Sequence, residues 1–400
     1  MRQAAAALIV GLAVVEAVLV LPLRHSGSAS AAEAAAPVLK ATTRLPAWRA
    51  PGVPVQIAGF APARERVRLR ANGRIVAATT SRASGRYRLR YAAARPGQYR
   101  LTVTDGSRSR RVGTLVVRPV VLEAVGDITF GEQVGPALAE YGPRYPWTDV
   151  AATLRRADIT TGNLETSVST RGLAAVKEFT FRGTPDALPP LARYAGFDVL
   201  TLANNHAVDY GRDALLDTVR YVRAAGMQTI GAGANDRLAR RPAIVEAGGL
   251  RVAFLGYSDV NPDGFVATPS EPGTAQADTA AIAADVHAAL RRADVAVCFF
   301  HWGTELHPDP DSRQQTFAAA CRDAGAKVVL GAHPHVLGPV ARLGARGLVA
   351  WTLGNFVFPS GGETARSAIL RVELDRAGVR GYRLLPVTIE GFRPVLSGAG

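Results

Sequence analysis

Two hydrophobic rhythms divide the chain. From Pro46 to Pro119 apolar and polar positions alternate strictly, as in Arg66-Val67-Arg68-Leu69-Arg70, Arg86-Tyr87-Arg88-Leu89-Arg90-Tyr91 and Tyr99-Arg100-Leu101-Thr102-Val103. A period of two puts the apolar side chains on one face of a strand and mainly arginine on the other. Turn signals at Ala71-Asn72-Gly73, Ser84-Gly85, Pro96-Gly97 and Asp105-Gly106 cut these runs at intervals of roughly ten residues, the spacing of a β-sandwich. The pattern predicts a small all-β, immunoglobulin-like module over residues 44–119.

From Val120 the rhythm changes. Short apolar strand candidates at 121–125, 159–161, 199–202, 252–255, 295–300, 328–330 and 348–353 alternate with helix candidates at 150–156, 188–194, 214–225, 280–292 and 314–324. Such alternation predicts an α/β domain over residues 120–395 with a largely buried sheet.

At the amino end, residues 4–23 form one apolar run behind Arg2, interrupted by Glu16. Twenty residues of helix span about 30 Å, enough to cross a bilayer. Ala29-Ser30-Ala31 and Ala32-Glu33-Ala34 also have the small-x-small form of a signal-peptide cleavage site. Residues 1–24 therefore read as a signal peptide or a retained membrane anchor. Both place the remainder of the chain outside the cytoplasm, membrane-anchored or associated with the cell envelope. The Ser/Ala-rich residues 25–43 read as a flexible tether.

A length of 400 residues with 48% hydrophobic content supports two domains and excludes a mainly disordered chain. The formal charge of +14 is unevenly placed: 18 of the 47 Lys/Arg residues but only two of the 33 acidic ones, Glu65 and Asp105, fall within 40–119. Arg66, Arg68 and Arg70, with Arg86, Arg88 and Arg90, are expected to form an outward face suited to a polyanion such as teichoic acid, polyglutamate or anionic headgroups. Export argues against nucleic acid as the partner. Cys298 and Cys321 form no disulfide framework. The absence of a P-loop, a Gly-x-Ser-x-Gly elbow and a Rossmann fingerprint argues against nucleotide-driven ligation by this chain alone.

Candidate chemistry lies at the ends of the apolar runs, in Gly126-Asp127, Gly162-Asn163-Leu164-Glu165, Asn204-Asn205-His206, His301-Trp302-Gly303 and Gly331-Ala332-His333-Pro334-His335. Asp, Glu, Asn and imidazole hold divalent metals, and strand ends of one sheet are where an α/β fold gathers such groups. An Asn205 carbonyl can ligate while the adjacent His206 faces substrate. His333 and His335, at i and i+2, are expected to point the same way. Asp209 and Gly211 are read as shaping the turn and capping the next helix. Glu305 and Asn355, the latter taken as ending a strand, are candidates to orient a ligand imidazole or a substrate group. Arg182 and Lys177 are candidates to meet an anionic substrate, although a solvated surface position is the commoner fate of such residues.

The ordered set Gly-Asp, Gly-Asn-x-Glu, Asn-Asn-His, His-Trp-Gly-x-Glu, Gly-Ala-His-Pro-His and Leu-Gly-Asn-Phe resembles the CapA/PgsA family of capsule and poly-γ-glutamate synthesis proteins. That family is similar in fold to calcineurin-like metallophosphoesterases, a sheet sandwich flanked by helices. The resemblance covers about residues 120–395. It implies that Asp127 and His335 bind one metal, that Asn205, His301 and His333 bind a second, and that His206 protonates the leaving group. Two departures stand out: Thr129 replaces the histidine of Asp-x-His, and Asn163 replaces the bridging aspartate. Glu165 is the nearby carboxylate that could take over. The cofactor expected is one or two ions of Mn, Fe or Zn.

The function so implied is an exported metal-dependent phosphoesterase-like protein of capsule or envelope polymer biosynthesis, the polymer being poly-γ-glutamate or polysaccharide, with membrane-bound synthesis partners. The alternative is a non-catalytic assembly or anchoring subunit that binds the anionic polymer.

Overall fold

The computed structural model describes residues 38–106 and 108–398. The signal or anchor segment and tether residues 25–37 lie outside the described residues. Among the described residues, no helix is long and apolar enough to cross a membrane.

The amino-terminal part is all β. Strands β1 (Lys40–Ala41), β2 (Val55–Phe60) and β5 (Arg86–Tyr91) form one sheet in the order β1-β2-β5. Strands β3 (Arg66–Ala71), β4 (Arg74–Thr80), β6 (Gly97–Asp105) and β7 (Arg108–Val117) form the other, in the order β4-β3-β6-β7. The alternating apolar positions of both sheets, among them Val67, Leu69, Tyr87, Leu89, Leu101 and Val103, close on one shared core, as a period of two requires. Two expectations need correcting. The tether does not extend to residue 43: Leu39 is fully buried in this core and β1 pairs antiparallel with β2, so the module begins before residue 44. Nor do the two arginine triplets share a face. Arg66, Arg68 and Arg70 lie on β3 and Arg86, Arg88 and Arg90 on β5, in opposite sheets. A shared core turns their polar faces away from one another.

The rest of the chain forms two sheets packed face to face. One runs Gln228–Ile230, Val199–Thr201, Ile159–Leu164, Val120–Ile128, Arg366–Asp375, Gly378–Glu390, Arg393–Leu396, with Asn355–Val357 also pairing to Val120–Ile128. The other runs Ala243–Ala247, Leu250–Ser258, Val295–His301, Val328–Ala332, Leu348–Ala350, Val340–Arg342. Their facing side chains, such as Leu122, Ala124 and Val199 against Phe254, Val297 and Leu330, make one core. The outer faces are covered by helices: Arg212–Ala224 on the first sheet, Thr279–Leu290 and Ser312–Asp323 on the second. All seven residues of Val295–His301 are buried, which is why that strand reads as an unbroken apolar run. Helix Ser312–Asp323 starts at a reciprocal cap in which Asp311 accepts from the Gln314 backbone N–H and the Gln314 side chain accepts from that of Asp311.

The first sheet is mixed. Its antiparallel strands after residue 365 were not among the strand candidates; in Gly378–Glu390 exposed positions break up the apolar run that marks a buried strand. Asn355 begins a strand instead of ending one, and Leu348–Ala350 belongs to the other sheet. Arg118 joins the two parts of the molecule. Its guanidinium donates to both Asp158 oxygens at 2.6 and 2.7 Å and stacks 3.7 Å over the Trp48 ring.

Candidate metal centre

Parallel strands end together, so their last residues meet. In register, Asp127 lies opposite both Asn163 and Asn355, Asn163 opposite Thr201, and His301 opposite Ala332. The loops that follow Thr201 and Ala332 bring Asn204, Asn205 and His206, and then His333 and His335, to the same edge.

Glu165 lies at the centre of this cluster. Its side chain is fully buried, and in the ionised form neither oxygen meets a hydrogen-bond donor, whereas the protonated form hydrogen-bonds Asp127. Oε1 lies 3.4 Å from His301 Nε2 and 3.9 Å from His206 Nε2. Glu165 is common to two groups whose ligand atoms lie within 4.8 Å of one another: Asp127, Glu165 and His335, and Glu165, His301 and His333. Asn205 Oδ1, 2.8 Å from His301 Nε2, adds a donor atom to the second group. His333 Nδ1 lies 3.1 Å from the same His301 nitrogen. Oxygen and nitrogen lone pairs thus converge on a small buried volume, an arrangement that is costly without a cation.

Asn163 stands in the bridging position but does not bridge. Its Nδ2 donates to Asp127 Oδ1 at 2.8 Å and faces His301 Nδ1 at 3.1 Å, while its Oδ1 accepts from Asn204 Nδ2 at 3.0 Å. With every polar atom so used, it positions Asp127 and His301. Thr129 Oγ1 accepts from the Gly131 backbone N–H at 3.1 Å and shapes the turn after the first strand.

His333 and His335 do converge, although not through extended backbone. Both adopt left-handed conformations, with φ of 96° and 59°. Such angles are strained for a side-chain-bearing residue and gather at functional sites. They put the two ring centroids 6.1 Å apart. Asn355 orients the second ring, its Oδ1 accepting from His335 Nδ1 at 2.8 Å.

The electrostatics divide the cluster. Burial pushes the Asp127 carboxyl up, but the hydrogen bond and charge of His335, with His301 and Asn163, outweigh it and bring it to about 2. Burial lowers His335, and against it Asp127 and Glu165 raise the imidazole to about 10. On the other side, burial holds His301 at about 3 and drives His333 well below the ordinary imidazole value. Burial, reinforced by the charge of Asp127, pushes Glu165 up to about 8.

His206 stands apart, with its ring stacked on Phe181 at 3.9 Å between centroids. Its Nδ1 meets Asp209 Oδ2 at 2.7 Å, which turns Nε2 toward Glu165. Lys177 Nζ donates to Asp209 Oδ1 at 2.8 Å and to the Asn205 carbonyl at 2.7 Å. Asp209 is therefore not a helix cap: helix Arg212–Ala224 has Gly211 at its N-cap and no side-chain cap. Lys177 is drawn into the cleft and is not a solvated surface residue. One expectation is corrected in part: Glu305 is exposed and makes no hydrogen bond to any histidine of the cluster, because the chain turns outward after Gly303, although its charge still acts to raise the His301 pKa. Arg182 Nη2 donates to the Arg171 and Gly172 carbonyls at 3.0 and 2.8 Å and its guanidinium stacks 3.6 Å over Tyr210, while its buried Nε has no hydrogen-bond partner.

Residues 121–360, which hold every member of this cluster, match the profile of the bacterial capsule synthesis protein PGA_cap family. The chain belongs to that family. Among its relatives, a PGA biosynthesis protein CapA of Bacillus subtilis (strain 168) is 32% identical over 68% of this chain and 72% of its own length. A capsule biosynthesis protein CapA of Bacillus anthracis is 31% identical over 69% of each chain. Among solved structures, the calcineurin-like phosphoesterase YfkN of Bacillus subtilis aligns with a TM-score of 0.41 at 11% identity, over 68% of this chain and 91% of that one. Family membership therefore rests on sequence.

Phe181 was not visible in the sequence, and Lys177 and Asp209 were visible only in other roles, as a contact for an anionic substrate and as a turn and cap residue. The only signal for Asp209 was its position three residues after His206. Lys177 and Phe181 sit on an irregular loop whose path no periodicity reports.

Proposed function

We propose that this protein acts in the synthesis of an anionic capsule or envelope polymer as a metal-dependent phosphoesterase-like enzyme. The observation that carries the proposal is Glu165: a buried carboxylate without a hydrogen bond, common to two sets of ligand atoms. The residues present fit a divalent ion. Asn205, His301 and His333 would hold one with Glu165, and Asp127 and His335 a second. Such an ion supplies positive charge that offsets negative charge growing on a phosphoryl or acyl centre and makes a nearby water more acidic.

The chain's own groups do the rest. Asp209 holds His206 with Nε2 toward the cleft, from where it donates a proton to the leaving group. Phe181 shields one face of that ring. The capsule synthesis role for which the family and its relatives are named supports the capsule context, and the apolar residues 4–23 support export. Thr129 and the fully engaged Asn163 favour a second reading, a non-catalytic subunit that retains the cleft to hold polymer.

The two readings separate on turnover. Full-length protein reloaded with Mn, Fe or Zn is assayed on phosphomonoesters, phosphodiesters and acyl esters. Metal-dependent turnover that His206→Ala removes is expected. Metal-loaded protein inactive on every substrate would leave the binding subunit as the function.

A further inference from the structure

Strands β4 and β5 are both edge strands, with the β5 edge open beyond Arg86, whose C=O accepts from the Arg82 backbone N–H at 2.9 Å. Among the described residues β4 pairs only with β3, and β5 only with β2. Between the two edges runs a groove of about 230 Å³ lined by Thr79, Thr80, Arg82, Arg86, Tyr87 and Arg88. Arg86, Arg88 and Arg90 are all exposed along β5, and among the described residues no acidic side chain forms an ion pair with any of them. Alternate strand positions stand about 6.6 Å apart. Arg90 also lines a cleft of about 310 Å³ at the junction with the α/β domain, where the basic Arg49, Arg251 and Arg376 stand with the acidic Glu246 and Asp294.

We infer that this edge binds an extended anionic polyamide, a carboxylate-bearing polyglutamate strand. Two features of the surface ask for two features of the ligand. Unpaired backbone N–H and C=O groups along an open edge accept an added strand, and a polyamide supplies the matching amides. Guanidinium groups at a regular spacing pair with carboxylates. A polyphosphate meets only the second demand. Naming polyglutamate as the source rests on the proposed capsule role, but the site lies outside the metal cleft and is tested independently of it.

The test uses the full-length protein and fluorescently labelled poly-γ-glutamate of defined length, with inorganic polyphosphate of matched charge as the comparison, followed by anisotropy at rising salt. Poly-γ-glutamate is expected to bind more tightly than polyphosphate, and to weaken steeply with salt as exposed contacts do. The triple variant Arg86→Gln, Arg88→Gln, Arg90→Gln should lose about tenfold or more in affinity. Arg66→Gln, Arg68→Gln, Arg70→Gln on the opposite sheet should stay within about threefold. Arg88→Gln alone, a milder change, should show a smaller loss and stands in if the triple variant melts early. His301→Ala should bind polymer as the wild type does. Unchanged affinity in the β5 variants, tighter binding of polyphosphate, or loss of binding in His301→Ala would each overturn the inference, the last by moving the polymer to the metal cleft.

Discussion

On one side of Glu165, Asp127 and His335 stand 3.4 Å apart as an ion pair, the carboxyl lowered to about 2 and the imidazole raised to about 10. On the other side, His301 and His333 are held neutral by burial, with their facing nitrogens 3.1 Å apart. The first half is balanced by its own proton. The second is a set of lone pairs awaiting a cation. Similar ligand types thus differ in readiness: an ion entering the first half must displace a proton, whereas one entering the second meets neutral imidazoles. The second half should therefore fill first.

His206 belongs to neither half, and that separation is the most severe test. His206→Ala should leave metal content unchanged and lower turnover by about two to four orders of magnitude. A variant that loses metal together with activity would place His206 among the ligands.

The halves themselves are separated by titrating metal into single variants. His301→Ala and His333→Ala should weaken the tighter site by about a hundredfold, while His335→Ala should spare it and remove only the weaker one. Equal losses in all three variants would erase the distinction.

A finer test is pH. Each proton that a ligand must release makes affinity rise about tenfold per pH unit below that group's pKa. Glu165, at about 8, must lose its proton to serve either half. His335, at about 10, must lose one for the first half alone. His301, at about 3, has none to lose near neutrality. Affinity at the second half should rise toward pH 8 and then level off. At the first half it should rise more steeply and keep rising to about pH 10. Parallel profiles would show that the two halves share one proton inventory.

The sequence disclosed the parts of this molecule that obey a period. Alternation in Arg66–Ala71 and Arg86–Tyr91, and the apolar run ending at His301, marked an all-β part and a mixed α/β part. Side-chain faces were legible too, but not which strands share a sheet, so the two arginine triplets were joined although β3 and β5 lie in opposite sheets. Clustered ligand types made Asp127, His301, His333 and His335 visible. Residues that act through tertiary contact were legible only in part: Lys177 was named for an anionic substrate but not for its reach to the Asn205 carbonyl 28 residues away, and the chain's outward path after Gly303 keeps Glu305 from hydrogen-bonding the imidazoles. Glu165 was picked out as the nearby carboxylate, but only packing could leave both its oxygens buried without a hydrogen-bond donor.

That carboxylate allows the most direct measurement. Wild type and Glu165→Gln, purified without chelator, are compared for bound Mn, Fe and Zn by elemental analysis and for thermal stability after metal removal. Glutamine keeps the shape but removes a buried carboxylate that has no hydrogen bond, so the metal-free variant should melt no earlier than the metal-free wild type. It should lose metal from both halves, while the wild type holds at least one ion per chain. Wild type free of metal, or Glu165→Gln with the full wild-type content, would contradict a centre built around Glu165.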